Sequence, residues 1–158
     1  MRTIETTLDA GGLRIGIVAA RFNHLITRRL VDGCAERLGE LGCESLDVMW
    51  VPGAFEIPLA AQQAARSGAY DALVAVGAVV RGDTPHFDYV CQGVTDGVRQ
   101  VGLECGLPIA FCVLTVETVE QALERAAKPG EPGSNKGIEA AEVAVEMSSL
   151  TSRLRRDA

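Results

Sequence analysis

Residues 72–80 read ALVAVGAVV, a run of nine without one polar side chain. A strand with one wet face alternates apolar and polar residues. A strand that does not alternate has no face to give to water, and its home is a parallel sheet covered by helices on both sides. LRIGIVAA (13–20) and PIAFCVLT (108–115) are of the same kind, and LDVMWV (46–51) supplies a fourth strand. Parallel neighbours need crossovers, and the segments between the runs have helical period. Residues 25–41 place apolar side chains at 25, 26, 30, 31, 34, 38 and 41, with Asn23 placed to cap them. FEIPLAAQQAARSG (55–68) reads as a helix closed by Gly68. From His86 a stripe of Phe87, Val90, Cys91, Val94, Val98, Val101 and Cys105 predicts a third helix. A short helix at 119–127, the loop KPGEPGSN and a last helix from Gly137 complete the chain. Small residues at 137, 140, 141 and 144 predict close packing of that last helix on another. With right-handed crossovers the pattern is an α/β sandwich.

The length of 158 residues fits one domain over 1–158, with core enough to fold without metal or disulfide. A net charge of −6 argues against nucleic acid or an anionic membrane as partner, and an anionic substrate then requires a local cationic pocket. No run of apolar residues is long enough for a membrane span, and MRTIETTLDA lacks the apolar core of a signal peptide. The five cysteines, Cys34, Cys43, Cys91, Cys105 and Cys112, have no zinc-ligand spacing and read as small buried or half-buried apolar residues. A reduced cytoplasmic setting is the expectation.

Ligands of open α/β sheets bind beyond the carboxyl ends of the strands. ARFN (20–23), VPGAFE (51–56) and RGDTPH (81–86) follow the first three strands, and each carries an aromatic, a charge or both. Phe22 reads either as a hydrophobic staple or as a flat surface for a planar heterocycle. Glu56, in the first turn of the second helix, reads as dipole compensation or as an acceptor for ligand hydroxyl and N–H groups. Asp83 and Thr84 read as an N-cap or, with Gly82 and the cation Arg81 beside them, as a phosphate turn. His86 reads as a surface residue or as a proton carrier, because imidazole titrates near neutrality. His24 has no such company and reads as a solvent-exposed helix residue. Arg125 falls about two turns into its helix, roughly 9 Å beyond the rim. Most helix arginines are merely solvated; a ligand bound by this one would belong to a neighbouring subunit.

RFN (21–23), VPGAFEIP (51–58), GAVVRGDTPHFDYV (77–90), FCVLTVE (111–117), QALERA (121–126) and NKGIEAA (135–141) together resemble the lumazine synthase family. The resemblance implies a flavodoxin-like three-layer sandwich, a four-stranded parallel sheet ordered 2-1-3-4 with helices on both faces. It implies the penultimate step of riboflavin biosynthesis, a transferase that condenses 5-amino-6-(D-ribitylamino)uracil with 3,4-dihydroxy-2-butanone 4-phosphate to 6,7-dimethyl-8-ribityllumazine, using no cofactor and no metal. By the same resemblance Phe22 stacks on the pyrimidine, and Ala54, Phe55 and Glu56 hold the ribityl chain and ring. Ala78, Val79 and Val80 offer backbone to the uracil edge. Asp83 and Thr84 lie on the phosphate side, and His86 transfers protons. Phe111 and Arg125 come from across a subunit boundary, Arg125 to the phosphate, with Lys136 a further basic residue. Asn23 and Arg81 are further candidates. The partners implied are small-molecule substrates and copies of the chain in a homo-oligomer with shared active sites.

Family members form pentamers, and some pack these into icosahedral shells of about sixty subunits through a compact Gly- and Lys-containing link between the last two helices. Here the link is AAKPGEPGSN, longer by about three residues and with two prolines, which favours a free pentamer over the shell. Two rival classes fall on the loop after the first strand: ARFN has neither the Gly-rich turn of a dinucleotide-binding dehydrogenase nor the Ser/Thr-rich phosphate loop of a flavodoxin-type electron carrier. A non-catalytic flavin- or lumazine-binding protein on the same fold is the remaining alternative.

Overall fold

The computed structural model describes residues 1–156. Strands β1 (Arg14–Ala20), β2 (Ser45–Val51), β3 (Ala72–Val80) and β4 (Ile109–Val116) form one sheet in the order β2-β1-β3-β4. All three pairings are parallel, as the absence of alternation in β1, β3 and β4 requires. Helices α1 (His24–Glu40), α4 (Val119–Glu124) and α5 (Lys136–Arg156) cover one face. There Leu30, Cys34 and Leu38 of α1 meet Ile15, Ile17, Val74 and Val76 of the sheet. Helices α2 (Ile57–Arg66) and α3 (His86–Cys105) cover the other, where Ile57, Ala61, Val94 and Val98 close over Val18, Leu73 and Ala75. The flavodoxin-like sandwich with order 2-1-3-4 is the fold of the chain.

The small residues of α5 do what their spacing implies. Gly137, Ala140, Ala141 and Ala144 are buried against the rest of that layer, and a Cβ on Gly137 would collide with the carbonyl oxygen of Leu30 on α1. Just ahead of α5, Asn135 donates to the carbonyls of Arg29 (3.0 Å) and Ala127 (3.2 Å) and accepts from the Gly137 N–H (2.9 Å). One side chain therefore joins α1, the preceding loop and the first turn of α5.

Three local expectations are corrected. Asn23 stands at the N-cap of α1 but makes no capping bond; it is left-handed, with φ 58° and ψ 45°. Leu25 lies off the apolar stripe and is 82% exposed. The short helix ends at Glu124, with Arg125 as its C-cap, because the chain turns back on itself: Ser134 N–H donates to the Glu124 carbonyl (2.8 Å) and Lys136 N–H to that of Arg125 (2.9 Å). Hairpin partners thus take the carbonyls that another helical turn would have used. Cys34 and Cys112 are buried, which pushes both thiols up to about 12, and the other three cysteines are half-buried.

At the amino end of the sheet, Arg14 reaches Asp71 with Nε to Oδ2 at 3.1 Å and Nη2 to Oδ1 at 3.0 Å, while its backbone N–H donates to the same Oδ2 at 2.8 Å. This ties the start of β1 to the start of β3. The Arg14 guanidinium holds the Asp71 carboxyl below its ordinary range. A depressed acid contributes stability above its unfolded pKa and loses it as pH falls through the folded value. Asp71→Asn is therefore expected to lower the urea midpoint by a constant amount above about pH 5, with the gap to the parent closing below about pH 4. Urea titrations of both proteins across this range check it.

Candidate active site

Pairing between β1 and β3 stops at Ala19↔Val76, whereas pairing between β3 and β4 runs on to Val80↔Val116. The last three residues of β3, Ala78 to Val80, therefore stand beyond the pairing with β1, with one edge lacking a strand partner. Backbone donors and acceptors there must find something else to bond. Asn23 supplies the first answer: its Nδ2 donates to the Ala78 carbonyl at 2.7 Å. The left-handed backbone that denies Asn23 a capping role turns its amide toward β3 instead.

The loop after β1 is laced to β2 as well, with Arg21 N–H to the Val51 carbonyl (2.8 Å), Phe22 N–H to that of Pro52 (3.1 Å) and Arg21 Nη1 to that of Trp50 (3.0 Å). So fixed, Phe22 presents its ring outward, 71% exposed. Beyond β2, Ala54–Glu56 form a single 3₁₀ turn, and Glu56 sits at the N-cap of α2 rather than inside its first turn. Pro58, next to the first residue of α2, has no N–H to donate, so the helix start loses nothing by carrying it. Phe55 leans on α3: a Cβ on Gly93 would lie 2.5 Å from Phe55 Cε2, so glycine there is what lets the ring approach.

Beyond β3, Arg81 N–H donates to the Val116 carbonyl (2.9 Å), and the chain turns into α3 with Pro85 at the N-cap. Neither Asp83 nor Thr84 caps the helix, which corrects that reading and leaves both residues on an exposed turn. His86 is the first residue of α3.

These pieces enclose a cleft of about 680 Å³. Phe22, Ala54, Phe55, Glu56, Ala78, Val79, Val80, Thr84 and His86 of the expected set line it. A volume of this size suits a small polar ligand with an aromatic ring. Asn23, Arg81 and Asp83 are not on its wall; Asn23 acts behind it through Ala78. Gly82, expected beside Asp83 and Thr84 in the turn before α3, also lines it, as do Gly53, Phe87, Tyr89 and Val90, which were not expected to. Tyr89 had a signal, lying three residues from His86 on one helical face, while Phe87 and Val90 were counted as core stripe and are only half-buried.

Phe111, Arg125 and Lys136 are elsewhere. They line a second cleft of about 380 Å³ along the open edge of β4, with Thr115, Glu139 and Val143. The two clefts share no residue. No lysine or arginine lines the first, and the second holds two cations. Lys136 is committed to Glu139 at 2.7 Å. Arg125 donates to the Gln121 carbonyl at 2.9 Å, and its nearest carboxylate, Glu124, is 3.9 Å away.

An exposed aromatic ring, a carboxylate, the end of a strand with one unpaired edge and an imidazole around one cleft could hold a planar, hydrogen-bonding molecule and exchange protons with it. The family model described as 6,7-dimethyl-8-ribityllumazine synthase matches residues 12–152. The chain belongs to this family. Lumazine synthase membership sets its activity in riboflavin biosynthesis. No helix among the described residues is long and apolar enough to cross a membrane.

The geometry at Asn23 predicts two separable costs. Asn23→Gly keeps the left-handed backbone and loses the bond to Ala78, whereas Asn23→Ala loses both. The alanine variant is expected to be less stable than the glycine variant by about 1 kcal/mol, as a difference in urea-unfolding free energy.

Proposed function

We propose that the chain condenses 5-amino-6-(D-ribitylamino)uracil with 3,4-dihydroxy-2-butanone 4-phosphate to 6,7-dimethyl-8-ribityllumazine, in an active site completed by a second copy of the chain. The observation that carries the reading is the division of labour between the clefts. The cleft with Phe22, Glu56 and His86 suits the uracil but contains no lysine or arginine for a phosphate, and Arg125 and Lys136 line the separate cleft along the β4 edge.

In this reading Phe22 stacks on the pyrimidine, and the backbone of Val79 and Val80, left open by the early end of β1, pairs with the uracil edge. Glu56 accepts from ribityl hydroxyls. The 5-amino group attacks the butanone ketone, and loss of water gives an imine. Proton removal, with His86 as carrier, expels inorganic phosphate and leaves an enol that tautomerises to a ketone. The ribityl-bearing nitrogen attacks that carbonyl, and loss of a second water closes the ring. Thr84 and Asp83 on the turn before α3, and Arg125 with Lys136 from the neighbouring copy, face the departing phosphate. Holding both substrates supplies much of the acceleration, and the imidazole adds about 10²–10⁴-fold.

Mixing the two substrates and following lumazine absorbance tests the reading, and ligand binding without turnover would favour a non-catalytic binding protein. His86→Ala is expected to lower kcat with uracil binding retained, and Arg125→Ala to raise KM for the butanone phosphate. Because the two residues serve one site from different copies, subunits carrying one change each should regain activity when unfolded and refolded together. No regain would place both in one chain.

The assembly we propose is a free pentamer. The segment 128–134 is exposed and stiffly held: Lys128 N–H and Arg29 Nη1 both donate to Glu131 Oε2, at 3.0 and 2.7 Å, and Pro129 and Pro132 fix its course. Such a protrusion cannot fold away at a contact between pentamers. Light scattering is expected to give roughly five times the chain mass. A particle of about sixty chains would overturn the assignment.

A further inference from the structure

Arg81 is the first residue after β3, where a phosphate-binding role would be the obvious one. Its side chain is engaged elsewhere. Nε donates to Glu117 Oε2 at 2.7 Å, Nη2 to Asp88 Oδ1 at 3.1 Å and Nη1 to Asp88 Oδ2 at 3.5 Å. The guanidinium carbon lies 4.2 Å from the centroid of the Phe87 ring. Glu117 immediately follows β4, and Phe87 and Asp88 are the second and third residues of α3. One planar group therefore spans three elements: the end of β3, the end of β4 and the first turn of α3. It holds the two residues directly after His86.

We propose that Arg81 is a positioning residue for His86, clamping the first turn of α3 to the sheet so that the imidazole stays over the cleft, and that it takes no part in binding the phosphate. The inference rests on the proposed lumazine synthesis. The first turn of α3 needs such a clamp. Neither Asp83 nor Thr84 caps it, and residues 81–86 are exposed in the single chain, so packing within the chain does not hold the helix start from outside. Exposed ion pairs contribute little to global stability. A fork that meets two carboxylates on different elements and an aromatic face nonetheless fixes direction, which a lysine ammonium cannot do. Two carboxylates also leave the guanidinium without spare charge for a ligand anion.

The test uses the assembled protein and four variants: Arg81→Met, Arg81→Lys, the pair Asp88→Asn with Glu117→Gln, and the triple change of Arg81→Met with that pair. Removing the clamp from either side is expected to lower kcat about tenfold while both KM values stay within about twofold. The triple variant should be no slower than Arg81→Met alone, since residues acting as one unit are not additive. Arg81→Lys should fall between. Hydrogen exchange reads the clamp independently of turnover: amides 88 to 91 should exchange about tenfold faster in Arg81→Met and in the carboxylate pair. Unchanged kcat in Arg81→Met would overturn the proposal. So would a raised KM for the butanone phosphate in Arg81→Met with a lowered one in the carboxylate pair, the signature of a guanidinium that binds phosphate directly. If Arg81→Met does not fold, Arg81→Lys and the carboxylate pair decide by the same readouts. A parent protein that makes no lumazine would sink the proposed reaction, whereas unaltered exchange in the carboxylate pair would sink the clamp.

Discussion

No face of β3 can meet water, and the remaining architecture answers to that. A strand apolar on both sides needs a helix layer above and below, and a parallel neighbour on each side needs a connection that returns to the same end. Every strand therefore delivers its outgoing loop to one edge of the sheet. The polar groups after β1, β2 and β3 meet there because the core leaves them nowhere else to be. β3 is also longer than β1, and its last three residues, which lack a partner on the β1 side, line the cleft. Burial at the centre of the sheet and hydrogen-bonding capacity at its end are two consequences of one nine-residue run.

On the opposite layer, the junction of α1 with α5 has a comparable influence. Contact between Gly137 and the Leu30 carbonyl leaves no room for a side chain, and Asn135 spends its amide on three backbone groups. Together they set where α5 begins. Because Lys136 N–H bonds to the Arg125 carbonyl, they also set where Arg125 stands relative to Lys136. The link between α4 and α5 runs outside this junction, with residues 128–134 exposed. The two cations thus keep their places along the β4 edge whatever the loop does.

The sheet, its order and the layers were readable because they follow from burial, and burial is written into sequence as periodicity. The gathering of Phe22, Phe55, Glu56, Thr84 and His86 was readable from chain order alone, since each follows a strand. What escaped was decided by single long-range bonds. Asn23 has the composition of a cap, and only the distant Ala78 carbonyl makes a left-handed backbone worthwhile. The helix at 119–127 continues on propensity but stops at Glu124 because Ser134, across a turn, takes the carbonyl. Leu25 sits one position ahead of the buried stripe that Ile26 begins and is exposed instead. Arg81 stands where an anion-binding cation would be sought, and its two carboxylates lie seven and thirty-six residues away.

The electrostatics of the site follow from the same commitments. Arg81 is held charged first by its bond to Asp88 and then by Glu117, so it acts as part of the frame. The cleft it borders contains rings, backbone and one carboxylate, a setting in which a neutral, planar ring is welcome and a phosphate alone is not. A protein of net charge −6 gives a free anion little general attraction either. In the proposed reaction, cation density near a bound phosphate comes from the β4 edge of another copy, where Arg125 has no carboxylate of the described residues closer than 3.9 Å. On that proposed reading, separating a ring-binding half from a phosphate-binding half makes each copy incomplete by itself. Assembly, rather than a conformational change within one chain, is then the event that brings both halves together.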